Sequence, residues 1–68
     1  MRIVLNGAEI ELDAEATVAD ALAAAGHLPE GRGTAVALNG EVVSRREWAG
    51  ASLSEGDRLE VLTATRGG

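Results

Sequence analysis

The chain has 68 residues, a formal charge of −5, no cysteine, and one aromatic residue, Trp48. A single domain of this size buries only about 60% of its unfolded surface and has neither disulfide, thiolate nucleophile nor zinc–thiolate site to help it. No apolar run approaches the roughly 20 residues of a membrane span, and an acidic chain without stacking aromatics is a poor match for nucleic acid, whose phosphates need Lys and Arg.

Met1-Arg2-Ile3-Val4-Leu5 begins like a secretory signal but breaks at Asn6-Gly7 and runs into an acidic alternating segment, so a cytoplasmic protein is expected. Residues 2–13 read as a hairpin. Ile3 and Leu5 alternate with Arg2 and Val4, and Asn6-Gly7 suits a type I′ turn, which needs positive φ at both positions. Glu9-Ile10-Glu11-Leu12-Asp13 then alternates with Ile10 and Leu12 inward.

Residues 17–26 read as a helix. Thr17 and Asp20 have capping-box spacing, and Asp13 and Glu15 lie where negative charge favours the helix dipole. Val18, Ala21, Leu22 and Ala25 share one face, Gly26 is a natural stop, and Pro29 follows. Pro29 to Thr34 is a loop by composition. Ala35-Val36-Ala37-Leu38 is a third strand, Asn39-Gly40 a second hairpin turn, and Glu41-Val42-Val43 a short fourth strand. Ser44 to Gly50 reads as a turn or a single helical turn, Ser54-Glu55-Gly56-Asp57 as a turn, and Arg58 to Leu62 as the last strand with Leu59 and Val61 inward.

Two strands, a helix and three more strands predict an α+β fold: a mixed four- to five-stranded sheet gripping one helix, the β-grasp arrangement. The last strand is expected between its neighbours, with residues 1–63 as the domain and 64–68 as a flexible tail.

Nothing internal reads as an active site or a metal centre. His27 has no second histidine or cysteine to share a metal. Gly31-Arg32-Gly33 lacks the spacing and context of a phosphate loop. The acids are scattered as on a solvated face, and no serine has a base in pattern. All six cations are Arg, so the chain cannot extend isopeptide polymers through lysines of its own. Trp48 is expected to plug the core at the sheet edge. Leu62, Val4 and Ala37 point away from the helix by alternation; they are either a docking patch or ordinary exposed apolar residues. The chain ends on Gly67-Gly68. That end is either a frayed terminus or a chemical group, since side-chain-free glycines let an α-carboxylate enter a channel too narrow for other residues.

The stretch Leu38-Asn39-Gly40-Glu41-Val42-Val43-Ser44-Arg45-Arg46-Glu47-Trp48, the later Glu55-Gly56-Asp57-Arg58-Leu59-Glu60 and the final Gly67-Gly68 resemble the sulfur carriers of the thiamine pathway, the ThiS family. The Asn6-Gly7 hairpin and the Thr17-Val18-Ala19-Asp20 helix start agree with that resemblance. Ser44 stands where family members often have proline, and Arg66 before the glycines is more like ubiquitin.

The resemblance implies a carrier that is not itself an enzyme and binds no cofactor of its own. An adenylating enzyme would use ATP and magnesium to convert the Gly68 carboxylate to an acyl-adenylate. Sulfur from a donor such as a cysteine desulfurase would then give a thiocarboxylate, which thiazole synthase would consume. Gly67 and Arg66 would belong to the acting tail, Leu62, Val4 and Ala37 to a docking face, and the free carrier would be a monomer. The molybdopterin synthase small subunit, a carrier for sulfur-dependent amino-acid synthesis, and a ubiquitin-like protein modifier share the Gly-Gly end.

Overall fold

The computed structural model describes residues 1–26 and 33–63. Strands β1 (Arg2–Leu5) and β2 (Ala8–Glu11) precede helix α1 (Val18–Ala24). Strands β3 (Thr34–Leu38) and β4 (Glu41–Val43), a 3-10 helix (Arg45–Gly50) and strand β5 (Arg58–Thr63) follow. The five strands form one sheet in the order β2-β1-β5-β3-β4. β5 is parallel to β1 and antiparallel to β3. This is the β-grasp arrangement, with the last strand at the centre.

Both Asn-Gly pairs make the expected turns. φ is +50° at Asn6 and +85° at Gly7, then +51° at Asn39 and +88° at Gly40. The left-handed region is open to Asn and Gly and costly for branched residues, so these pairs fix the hairpin registers. A third reversal delivers the chain into β5. There Asp57 donates its N–H to the Ser54 carbonyl at 3.0 Å, while its carboxylate accepts from the Ser54 N–H at 2.8 Å.

Helix α1 has only seven residues. Its stability must come from its cap and its packing, because an isolated helix that short does not persist in water. The Thr17 hydroxyl accepts from the Asp20 N–H at 3.3 Å, and the Asp20 carboxylate accepts from the Thr17 N–H at 2.9 Å. Gly26, at φ +89°, follows the C-cap residue Ala25.

Ile3, Leu5, Val36, Leu59 and Val61 from the sheet close on Val18, Ala21 and Leu22 from the helix. Ile10 and Leu12 are half-buried against this core. Trp48 is buried and donates its indole N–H to the Val43 carbonyl at 3.0 Å, so the 3-10 helix seals the β4 side of the core. Main-chain bonds from Val18 to Ala51 (2.9 Å) and from Leu53 to Ala16 (3.1 Å) tie the following segment to the start of α1.

Two local expectations are corrected. Ala25 does not share the buried helix face: it is the exposed C-cap, because the helix ends one residue earlier. Thr34 is not loop but the first residue of β3, because β5 runs one residue further than its pattern predicts and pairs Thr63 with Thr34. His27, Pro29, most of the loop that follows and the tail 64–68 lie outside the described residues.

Candidate functional site: the open sheet face and the end of β5

Helix α1 covers one face of the sheet. Alternation along β5 sends Leu59 and Val61 into the core and leaves Arg58, Glu60 and Leu62 exposed on the opposite face. The register carries this division across the sheet. Val4 lies beside Arg58, Ala35 beside Leu62, and Ala37 beside both Glu60 and Val42. The structure therefore brings Leu62, Val4 and Ala37 to one face, as expected, and adds Ala35 and Val42.

These five apolar residues line a shallow depression with Asn6, Gly7, Arg58 and Glu60. Leu62 is 73% exposed and Val42 81%, the two large apolar side chains left most open to water among the described residues. An uncovered antiparallel face is ordinarily polar. Here the polar part is displaced to one side, where Arg2 lies 3.9 Å from both Glu9 and Glu11 across the β1–β2 hairpin. The face thus has an apolar half around β5, β3 and β4 and a charged half around β1 and β2.

The other feature concerns how β5 is held. β1 stops at Leu5, opposite Leu59, but the Asn6 side chain carries the pairing two residues further. Its Oδ1 accepts from the Val61 N–H at 2.8 Å, and its Nδ2 donates to the Val61 carbonyl at 3.1 Å. At the other end of the strand, the Asn39 Oδ1 accepts from the Arg58 N–H at 2.9 Å, and its Nδ2 donates to the Asp57 carboxylate at 3.0 Å. Sequence reasoning identified both asparagines as turn formers and missed them as clamps. Two turns that both use Asn, rather than the equally suitable Asp or Gly, were the available signal.

Of the conspicuous motif around Trp48, the indole is structural and Arg45 and Arg46 are exposed on the 3-10 helix. No group of three or more His, Asp or Glu side chains among the described residues is placed to hold a metal ion. Among those residues no helix is long and apolar enough to cross a membrane. Arg66, Gly67 and Gly68 lie outside the described residues.

The chain covers 100% of the thiamine biosynthesis protein ThiS of Geobacter metallireducens in its crystal structure, at 28% identity and a TM-score of 0.77 with all of this chain aligned. In the solution structure of a thiamine biosynthesis protein from the same organism, 88% of that chain is covered by all of this one, at 28% identity and a TM-score of 0.78. SAMP1 from Haloferax volcanii shares the fold, at 24% identity and a TM-score of 0.63, with 98% of this chain covering 97% of that one. No curated protein sequence matches the chain significantly. The ThiS family model matches residues 3–68, from the first core residue of β1 through both terminal glycines, and the chain belongs to the ThiS family.

Proposed function

We propose that this protein is a sulfur carrier for thiazole formation and that the α-carboxylate of Gly68 carries the sulfur. One observation bears most of the weight: the family match runs through Gly68, and the strand leading toward that residue is the central one of the sheet. A strand paired on both sides is a rigid base for a short reach. Ala64 to Gly68 spans at most about 17 Å when extended, enough to enter a partner's active site while the domain stays outside.

The chemistry follows from the poor reactivity of a carboxylate. Its oxygen is a poor leaving group, so an adenylating enzyme with ATP and magnesium converts Gly68 to an acyl-adenylate and releases pyrophosphate. Sulfur then displaces AMP. If the donor is a persulfide, the first product is an acyl disulfide, and a thiol must cleave it to free the thiocarboxylate. Thiazole synthase takes the sulfur, and the carboxylate returns. The chain has no cysteine, so the cargo has no side-chain thiol to migrate to.

Leu62, Val4 and Ala37, with Ala35 and Val42, form the face that docks the adenylating enzyme. The chain's charge of −5 favours a partner with a basic rim around an apolar centre. Deleting Gly68, or replacing Gly67 by Val, is expected to abolish ATP–pyrophosphate exchange by the adenylating enzyme while circular dichroism and melting stay unchanged. Full exchange activity with either variant would refute a mechanism that works through a slim terminal carboxylate.

A further inference from the structure

We infer that Asn6 is a positioning residue for the reactive terminus: its side-chain amide replaces the missing end of β1 and fixes the line along which β5 delivers the chain. The inference rests on the reading of Gly68 as the acting group.

Along β5, alternate residues turn their main-chain groups to alternate neighbours. Arg58 faces the β3 side, where the Asn39 N–H donates to its carbonyl at 2.8 Å. Leu59 faces the β1 side, where the Asn6 N–H donates to its carbonyl at 2.9 Å. Val61 faces that same side, but β1 has already turned away at Asn6-Gly7. The strand end would there lose one of its two supports. The Asn6 amide supplies what a strand residue would have supplied, an acceptor for the Val61 N–H and a donor for its carbonyl.

Few side chains of that length can do this. Asp accepts but does not donate, and its charge would face the Val61 carbonyl. Ser is too short to bracket both groups, and Gly and Ala have nothing to offer. The bonds span 55 positions of sequence, so they join the first turn of the chain to its last strand. With β3 paired to β5 from the other side, the strand is supported on both sides as far as Val61 and Leu62.

Reach makes this important for transfer. The five residues beyond Thr63 can span at most about 17 Å, so the place where β5 ends bounds what the terminus can reach, and a displaced strand end shifts that bound with it. A misplacement of about 1 Å at a reacting centre can cost on the order of a hundredfold in rate.

Asn39 is the internal control. It has the same turn and nearly the same φ, and its amide accepts from the Arg58 N–H of the same strand while donating to the Asp57 carboxylate, at the end remote from the terminus. Glycine keeps both turns, since it accepts positive φ without strain, and removes only the amide. The experiment compares Asn6→Gly and Asn39→Gly by amide hydrogen exchange and by steady-state formation of the thiocarboxylate with the adenylating enzyme, ATP and sulfide.

Asn6→Gly is expected to speed exchange of the Val61 amide at least tenfold and to lower kcat at least tenfold. KM for the carrier should change less than kcat, because Asn6 borders the depression but the five apolar residues proposed to dock the enzyme are unchanged. Asn39→Gly is expected to leave Val61 exchange and kcat within twofold of the parent. Asn6→Asp, which keeps the bond from the Val61 N–H, should fall between the parent and Asn6→Gly. Unchanged Val61 exchange and kcat in Asn6→Gly, or an equal loss of kcat in Asn39→Gly, would overturn the inference. If the parent chain forms no thiocarboxylate, the proposed function fails instead, and the Val61 exchange rates still judge the clamp.

Discussion

Replacing Leu62 by Asp should separate docking from folding. Leu62 is 73% exposed, so little of its apolar area stabilises the free domain. Full burial of a leucine contributes about 1.5–3 kcal/mol. Covering the remaining three quarters at an interface therefore contributes about 1–2 kcal/mol, and Asp would also bring an unpaired carboxylate into the contact. The affinity of the adenylating enzyme should fall at least about 5- to 30-fold, by the rule that 1.4 kcal/mol is a factor of ten. The stability of the free domain should change by no more than about 1 kcal/mol, the span of strand propensities at an exposed position. Titration calorimetry reads the first quantity and urea denaturation the second. Leu62→Thr keeps a strand-forming side chain and the charge of −5, so a similar loss with Thr assigns the effect to apolar contact rather than to added charge. Undiminished affinity of a folded Leu62→Asp domain would make this face ordinary surface.

Two further outcomes test how the fold supports that face. Trp48→Phe keeps an aromatic ring in the core but removes the donor to the Val43 carbonyl, and is expected to cost about 1–2 kcal/mol in urea denaturation followed by circular dichroism; an unchanged midpoint would mean that the indole bond does not hold the 3-10 helix to β4. Thr17→Ala removes the hydroxyl half of the capping box and should cost about 1 kcal/mol by the same measurement, with no change in the affinity of the adenylating enzyme. A loss of affinity without a loss of stability would place α1 in the interface instead.

The parts of the molecule legible in the sequence are those governed by local rules. Asn6-Gly7 and Asn39-Gly40 specify turns because few other pairs accept positive φ twice, and the alternation around Ile3, Leu59 and Val61 then assigns faces to the strands they join. Thr17 and Asp20 mark the helix start for an equally local reason. Leu62, Val4 and Ala37 fall on the open face by the same alternation, which carries Ala35 with Ala37, while Val42 emerges only from the register, which pairs it with Ala37. Thr34 joins β3 because Thr63, far along the chain, pairs with it. The amide grip of Asn6 on Val61 is hidden for a like reason: periodicity records where a side chain faces, not what a planar amide meets 55 positions away.

Mass analysis of the intact chain after incubation with its adenylating enzyme, ATP and a sulfide source tests the central claim most directly. A carrier gains the mass difference of one oxygen exchanged for one sulfur, and the product is alkylated by thiol reagents even though the chain has no cysteine. Fragmentation should place the change at Gly68. A chain that instead becomes linked by amide bonds to other proteins, with no thiocarboxylate formed, would contradict the account and mark the domain as a protein modifier.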